Sequence, residues 1–262
     1  IIDKNGNLIA QAEHALPIHL ASMSGLIEHL LKSYKKDINQ GDIFISNDPH
    51  VAGGTHLPDI NMAMPIFIEG KLVAFIANIV HHADVGGAAA GSMSGGLDEI
   101  YKEGIRIPIT RLYKNNILNK DILNILLLNM RLRNERQGDL NAQIAACKLG
   151  VTRIKDMIKI YGIKTIEQIF NEILNLTKER MIKAIAKLPN GIFKFEDFMD
   201  DDGLGNKDIK INLIIKKFRK KIEFDFSKSS QQTPGNFNLS FNATQSAVFY
   251  SLKALLDPGI PN

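Results

Sequence analysis

Apolar and polar positions change their spacing along the chain, and the changes divide it into three stretches. Up to about residue 130, short apolar runs are broken by Gly-rich loops. Asp42-Ile43-Phe44-Ile45-Ser46, Ile60 to Ile68 and Lys71 to Val80 read as strands. From Gly138 the spacing becomes helical: Leu140, Ile144, Cys147, Val151, Ile154, Ile158 and Tyr161 recur at three and four residues until Gly162. A second helix follows, with Thr165 as its expected N-cap and Gln168 in the capping-box position. Ile166, Ile169, Ile173, Leu176, Ile182 and Ile185 form its stripe until Pro189-Asn190-Gly191. From Ile192 strands return. The runs Ile209–Ile215 and Ile222–Phe226 flank the basic stretch Lys216-Lys217-Phe218-Arg219-Lys220-Lys221, which is read as a hairpin with a charged turn. A last helix through Ala247, Leu252 and Leu255 is expected to be capped by Asn242 with Gln245.

The pattern predicts an α+β fold. Residues 1–130 form an α/β region of mixed strands and Gly-rich loops, 131–188 a helical segment, and 189–262 a β-rich segment continuing into a missing C-terminal part. The chain opens on Ile1 and ends in Asp257-Pro258-Gly259-Ile260-Pro261-Asn262, which reads as a loop caught midway, so a fragment of a longer subunit is expected.

With 262 residues and 45% hydrophobic content the chain holds enough apolar material for a large core, which excludes a disordered or fibrous protein. The longest apolar run, Ile122 to Leu128, is far short of the ~18–20 residues that cross a bilayer. No charged-then-apolar leader opens the sequence, and Cys147, the single cysteine, has no partner for an internal disulfide, so a cytoplasmic location off the membrane is expected. Within Ala145-Ala146-Cys147 the thiol reads as packing rather than as a nucleophile, because no histidine lies near it in sequence. A net charge of +4 with no tryptophan and few tyrosines lacks the broad basic face and stacking aromatics of a nucleic-acid binder. Asp200-Asp201-Asp202-Gly203 reads as an acidic turn, since the closing Glu of a calcium loop is missing.

All seven histidines lie between His14 and His82. His14, His19 and His29 sit on an apolar stretch and read as structural, while His50 is undecided. The loop Asn47-Asp48-Pro49-His50-Val51-Ala52-Gly53-Gly54-Thr55-His56-Leu57-Pro58-Asp59 runs into the pair of strands joined by Glu69-Gly70, a tight hairpin turn. Counting outward from Ile68 opposite Lys71 sets Asp59 opposite Val80 and Pro58 opposite His81. His56, Asp59, His81, His82 and Asp84 therefore converge at the hairpin mouth. Two imidazoles and a carboxylate suit a divalent metal with open positions for water or substrate, and Mn²⁺, Fe²⁺ and Zn²⁺ all accept such a set. Strict pleating puts Asp59 on the face of Val80 and His82. Either His82 is a ligand, or a bulge or twist at the strand ends turns His81 inward.

Gly86-Gly87-Ala88-Ala89-Ala90-Gly91-Ser92-Met93-Ser94-Gly95-Gly96 lacks the Gly-Lys-Ser/Thr ending of a nucleoside-triphosphate loop, and is expected to be a mobile cover over the site. ATP, if used, would be bound on another chain.

Ser46-Asn47-Asp48-Pro49, Gly53-Gly54-Thr55-His56-Leu57-Pro58-Asp59, His81-His82-Ala83-Asp84-Val85-Gly86-Gly87, Gly91-Ser92-Met93 and Glu103-Gly104-Ile105-Arg106-Ile107-Pro108 resemble the hydantoinase B/oxoprolinase family. The likeness continues through Gly138-Asp139-Leu140-Asn141-Ala142-Gln143, Asp225-Phe226-Ser227, Gln232 and Gly235 to the end of the chain. This family includes the N-methylhydantoinase beta subunit, the C-terminal half of 5-oxoprolinase and the acetone carboxylase alpha subunit. The resemblance implies that a hydantoinase A-like ATPase partner phosphorylates a small cyclic amide substrate or bicarbonate, and that this subunit hydrolyses or carboxylates the activated species in a hetero-oligomer. It maps the metal ligands of the carboxylase branch onto His56, Asp59 and His81, which requires the bulge, and leaves His82 and Asp84 to move protons. The leading expectation is a metal-dependent hydrolase of hydantoin or 5-oxoproline-like rings with Mn, Zn or Fe. A carboxylase subunit and a non-catalytic assembly module are the alternatives. Departures around Val51-Ala52 and at Lys228-Ser229, where many members have Gly-Thr, bear on substrate specificity.

Overall fold

The computed structural model describes residues 1–259 except His14, Leu20 and Ala52, and for Ser22 and Ser24 the backbone alone. In chain order the elements are β1 (Ile2–Asp3), α1 (Ser22–Tyr34), β2 (Ile43–Ser46), β3 (Asp59–Ile68), β4 (Lys71–His81), β5 (Thr110–Lys114) and β6 (Ile117–Leu118). They continue with α2 (Lys120–Asn129), α3 (Arg133–Tyr161), α4 (Ile163–Lys187), β7 (Gly191–Asp201), β8 (Lys207–Phe218), β9 (Lys221–Asp225) and α5 (Phe241–Leu256). The fold is α+β. A six-stranded antiparallel sheet has the order β1-β4-β3-β2-β5-β6, and a second antiparallel sheet the order β7-β8-β9.

The first sheet is covered on both faces. Ile43, Ile45, Ile60, Met62 and Ile66 pack against Leu140, Ile144, Cys147, Val151, Ile154 and Ile158 of α3. Phe44, Ala63 and Phe75 pack against Leu26, Ile27 and Leu30 of α1. Alternating β2 residues thus enter opposite cores, which is why β2 reads as continuously apolar.

The α3 stripe is buried as the spacing predicts, except that Tyr161 is exposed. Helix boundaries differ from the sequence reading. α3 begins at Arg133, five residues before Gly138. Gly162, at φ 80°, both ends α3 and precedes α4, so Thr165 lies inside the helix instead of capping it. Phe170 joins the buried side of α4 while Ile169 and Leu176 face solvent. Ser240, whose side chain accepts from the Ala243 N–H, caps α5 in place of Asn242. α1 and α2 lie in the region expected to be α/β, where the spacing locates strands and loops but no individual helix.

The β3/β4 hairpin positions the candidate site. Glu69 (φ 49°) and Gly70 (φ 75°) form its turn, and Ile68 pairs with Lys71 as counted. The register then shifts: Phe67 pairs with Leu72 but Ile66 with Ala74, leaving Val73 as the extra residue of a β-bulge. Beyond it Asp59 pairs with His81 and Ile60 with Val80. The counted pairing of Asp59 with Val80 is therefore off by one, and the bulge lies near the turn rather than at the strand ends. No helix among the described residues is long and apolar enough to cross a membrane.

Candidate metal centre

Directly paired residues of antiparallel strands point to the same face, so the bulge puts Asp59 and His81 side by side. His56 joins them from the loop before β3, where the Asp59 N–H donates to the His56 carbonyl at 3.1 Å and closes a tight turn. Gly54, at φ 81°, permits this: a side-chain carbon there would stand 3.3 Å from Cβ of Asp59 and 3.2 Å from Nδ2 of Asn61. The His56 and His81 rings lie 4.8 Å apart between centroids.

His19, assigned to structure from the sequence, belongs to this group. Its Nε2 lies 3.7 Å from Oδ1 of Asp59, and that of His56 lies 3.6 Å from the same oxygen. His19 sits on a single 3-10 turn, Pro17–His19, packed against α5. The Ala21 N–H donates to Oγ of Ser246 at 3.0 Å, tying the segment to α5.

The two oxygens of Asp59 are used differently. Oδ2 accepts from the N–H of Thr55 at 3.0 Å and from its hydroxyl at 2.7 Å. Oδ1 faces the two imidazoles at distances too long for hydrogen bonds. Asp59 is fully buried. Burial pushes its carboxyl up, but His56, Thr55 and the charge of His19 together outweigh that and hold it at about 2. His19 is pushed down by burial and by His56 and His81, against the pull of Asp59. Nδ1 of His19 is buried without a hydrogen bond. Glu103, also missed as a site neighbour, is half-buried; burial pushes its carboxyl up while His56 and His50 draw it down.

Among the described residues no three His, Cys, Asp or Glu side chains are gathered closely enough to hold a metal ion as they stand. Imidazole and carboxylate are nonetheless the donor types that a divalent ion takes. Two nitrogen or oxygen donors about 2.1 Å from one ion lie about 3.0–3.4 Å apart, a few tenths of an ångström closer than the observed contacts. Oδ1 of Asp59, which Thr55 leaves unshared, is the carboxylate oxygen open toward both imidazoles.

His82 and Asp84 stand apart from this group. His82 follows His81 and points to the opposite face, toward α3. Its Nε2 lies 2.8 Å from Oε1 of Gln143, whose Nε2 donates to the Ile60 carbonyl and to Oδ1 of Asn78, both at 2.9 Å. Burial pushes His82 down. Asp84 accepts from the N–H groups of Gly86, Gly91 and Arg131 and from the Arg131 guanidinium. Burial would raise its carboxyl, but these donors hold it at about 2. Arg131 also donates to the carbonyls of Gly86, Gly87 and Ala89. The first half of the Gly-rich loop is thus fastened down, in contrast to the mobile cover expected. His29 bonds its own helix through the Gly25 carbonyl, and the backbone N–H of His50 donates to Asp48. His14, Ala52 and Ile260–Asn262 lie outside the described residues.

The sequence model of the family described as Hydantoinase B/oxoprolinase matches residues 1–262. An uncharacterized protein of Methanocaldococcus jannaschii is 38% identical over 264 residues, covering 100% of this chain and 46% of its own length. 5-Oxoprolinase 1 of Arabidopsis thaliana is 33% identical over 288 residues, again covering all of this chain but 22% of its own. The crystal structure of the ATP-dependent caprolactamase from Pseudomonas jessenii superposes with a TM-score of 0.86 at 28% identity, over 91% of this chain and 41% of that one. A nucleotide-free acetone carboxylase shares the fold, with a TM-score of 0.89 at 20% identity over 98% of this chain and 36% of that one. The chain spans less than half the length of these relatives.

Proposed function

The chain belongs to the hydantoinase B/oxoprolinase family, and on that premise we propose that it is the metal-binding part of an ATP-dependent cyclic amidohydrolase. The substrate is a hydantoin or 5-oxoproline-like ring, and a hydantoinase A-like partner subunit supplies the ATP-driven activation. The names of the relatives, 5-oxoprolinase and ATP-dependent caprolactamase among them, support the reaction class. The observation that carries the reading is Oδ1 of Asp59, unshared with Thr55 and faced by His56 and His19, beside His81 across the hairpin.

In this reading His56, Asp59 and His81 hold Mn²⁺, Zn²⁺ or Fe²⁺, and His19 stands against the same carboxylate oxygen. When bound, the ion would polarise an amide carbonyl and acidify a water. Thr55 fixes the carboxylate by taking up Oδ2, which leaves Oδ1 as the donor. Ring opening adds one water across the C–N bond, the hydroxyl going to the carbonyl carbon and the proton to the leaving nitrogen. His82 and Asp84 take positioning roles in place of the proton-moving ones expected: His82 secures the end of β4 to α3 through Gln143, and Asp84 fastens the Gly-rich loop through Arg131.

The test is co-purification of the full-length subunit with its ATPase partner, metal analysis, and a screen of cyclic amides with ATP hydrolysis as readout. His56→Ala should lose the metal and lower turnover by about 100-fold or more, with circular dichroism unchanged. Full turnover by a metal-stripped His56→Ala protein refutes the assignment. Bicarbonate-dependent consumption of a ketone would mark the carboxylase alternative, and unchanged turnover in a His56/Asp59 double variant a non-catalytic module.

A further inference from the structure

A cavity of about 560 Å³ opens beside the candidate centre, between the edge strand β1, its neighbour β4 and the segment that leads into α1. His19 and His81 form one part of its wall, and Leu8, Met23, Ala77 and Ile79 are prominent in the rest. Ala77, Ile79 and His81 alternate along β4, so they share the face on which Asp59 stands. The cavity floor is therefore continuous with the donor set, and its volume is in the range of small-molecule sites.

The chemistry of the lining is one-sided. Among the described residues it contains no lysine or arginine. Asn78 borders it, but its amide is committed to the other face of the sheet. There its nitrogen donates to the Gln143 carbonyl at 2.9 Å and to Sγ of Cys147 at 3.2 Å, while its oxygen accepts from Gln143. Gln11 is the remaining polar side chain outside the histidines. A ring placed with its amide at His19 and His81 would project its far side into aliphatic surface. A carboxylate on that far side would be stripped of water with no lysine or arginine side chain among the described lining residues to receive it, which is strongly unfavourable.

We infer that this cavity is the recess for the substrate's body, and that it selects an uncharged cyclic amide with an apolar ring or substituent over one carrying a carboxylate. The inference rests on the amidohydrolase reading, since it places the reacting amide at the histidines. It separates two substrate chemistries which that reading leaves together.

The experiment uses the full-length subunit in complex with its ATPase partner, with ε-caprolactam and 5-oxoproline as probes. Ligand-observed saturation-transfer NMR should show transfer to the lactam and little to 5-oxoproline, and kcat/KM should favour the lactam by about 100-fold or more. Ala77→Phe, which fills the recess, should cut the transfer about tenfold while metal content stays unchanged. Ile79→Arg, which supplies a cation, should move the kcat/KM ratio about tenfold toward 5-oxoproline. Equal or greater transfer to 5-oxoproline in the unaltered protein overturns the inference, as does an Ile79→Arg ratio that does not move. If the lactam shows no transfer, the recess assignment fails whatever the turnover. If the lactam binds there and is not hydrolysed, the recess stands and the amidohydrolase reading fails.

Discussion

Strands β3 and β7 are ten and eleven residues long and both are rich in large apolar side chains, yet β3 buries eight of its residues and β7 none. β3 lies at the centre of a sheet held between α1 and α3. On β7, Ile192, Phe193, Phe195 and Phe198 are all exposed, and a cavity of about 430 Å³ remains between its sheet and α5. The difference shows where positional accuracy is built in. A ligand set must be held to within about half an ångström, and that requires backbone locked from both sides. The donors of the candidate centre stand at the end of the doubly covered sheet.

The largest expected effect sets register in one sheet against register in the other. Inserting one alanine between Ala77 and Asn78 would bring Val80 opposite Asp59 and turn His81 toward α3, lowering affinity for Mn²⁺ or Zn²⁺ by about 100-fold or more in calorimetric titration. The same insertion between Ile211 and Asn212 of β8 should leave affinity unchanged, and a loss there too would break the contrast. Removing Val73 is the sharper control: the extra residue disappears but Asp59 still pairs with His81, so metal uptake should survive.

Next in size is core truncation. Phe44→Ala should cost about 3–5 kcal/mol in urea unfolding, because Phe44 is fully buried, whereas Phe195→Ala on the open sheet should cost less than about 1 kcal/mol. Asp84→Ala should cost on the order of 2–3 kcal/mol by stranding the donors it gathers. Because the folded carboxyl is held at about 2, below the ordinary value near 3.9, its stabilisation is complete above about pH 4 and is lost as pH falls toward 2. An acid titration of stability should show that loss in the parent protein and not in the variant. The smallest effect is at Cys147, whose thiol burial pushes up to about 12. Native protein should resist iodoacetamide at pH 8 and react after unfolding, and rapid native labelling would show that the α3 core opens.

What the sequence made legible was local. The Glu69-Gly70 turn and the α3 stripe follow from backbone preference and from spacing within one element, and both are present. The register beyond the turn was not readable, because Val73 sits in an apolar run whose residues suit either face and carries no mark of being the extra one. Arms of ten and eleven residues that meet both at the turn and at Asp59/His81 force a bulge somewhere, but not at a particular residue. His19 was missed for a longer-range reason: it reaches Asp59 across thirty-nine intervening positions, on a turn whose support comes from α5. Gln143 likewise has no local signal, since its partners are on β3, β4 and the residue after β4.

That support has a consequence for the order in which the protein is made. The segment carrying His19 leaves the ribosome well before Ser246, which anchors it through Ala21 and comes 225 residues later. A nascent chain that has already paired β3 with β4 holds Asp59, His56 and His81 together but lacks the helix that seats His19. The fourth side of the centre closes only when α5 docks, so its completion records that synthesis has passed Leu256.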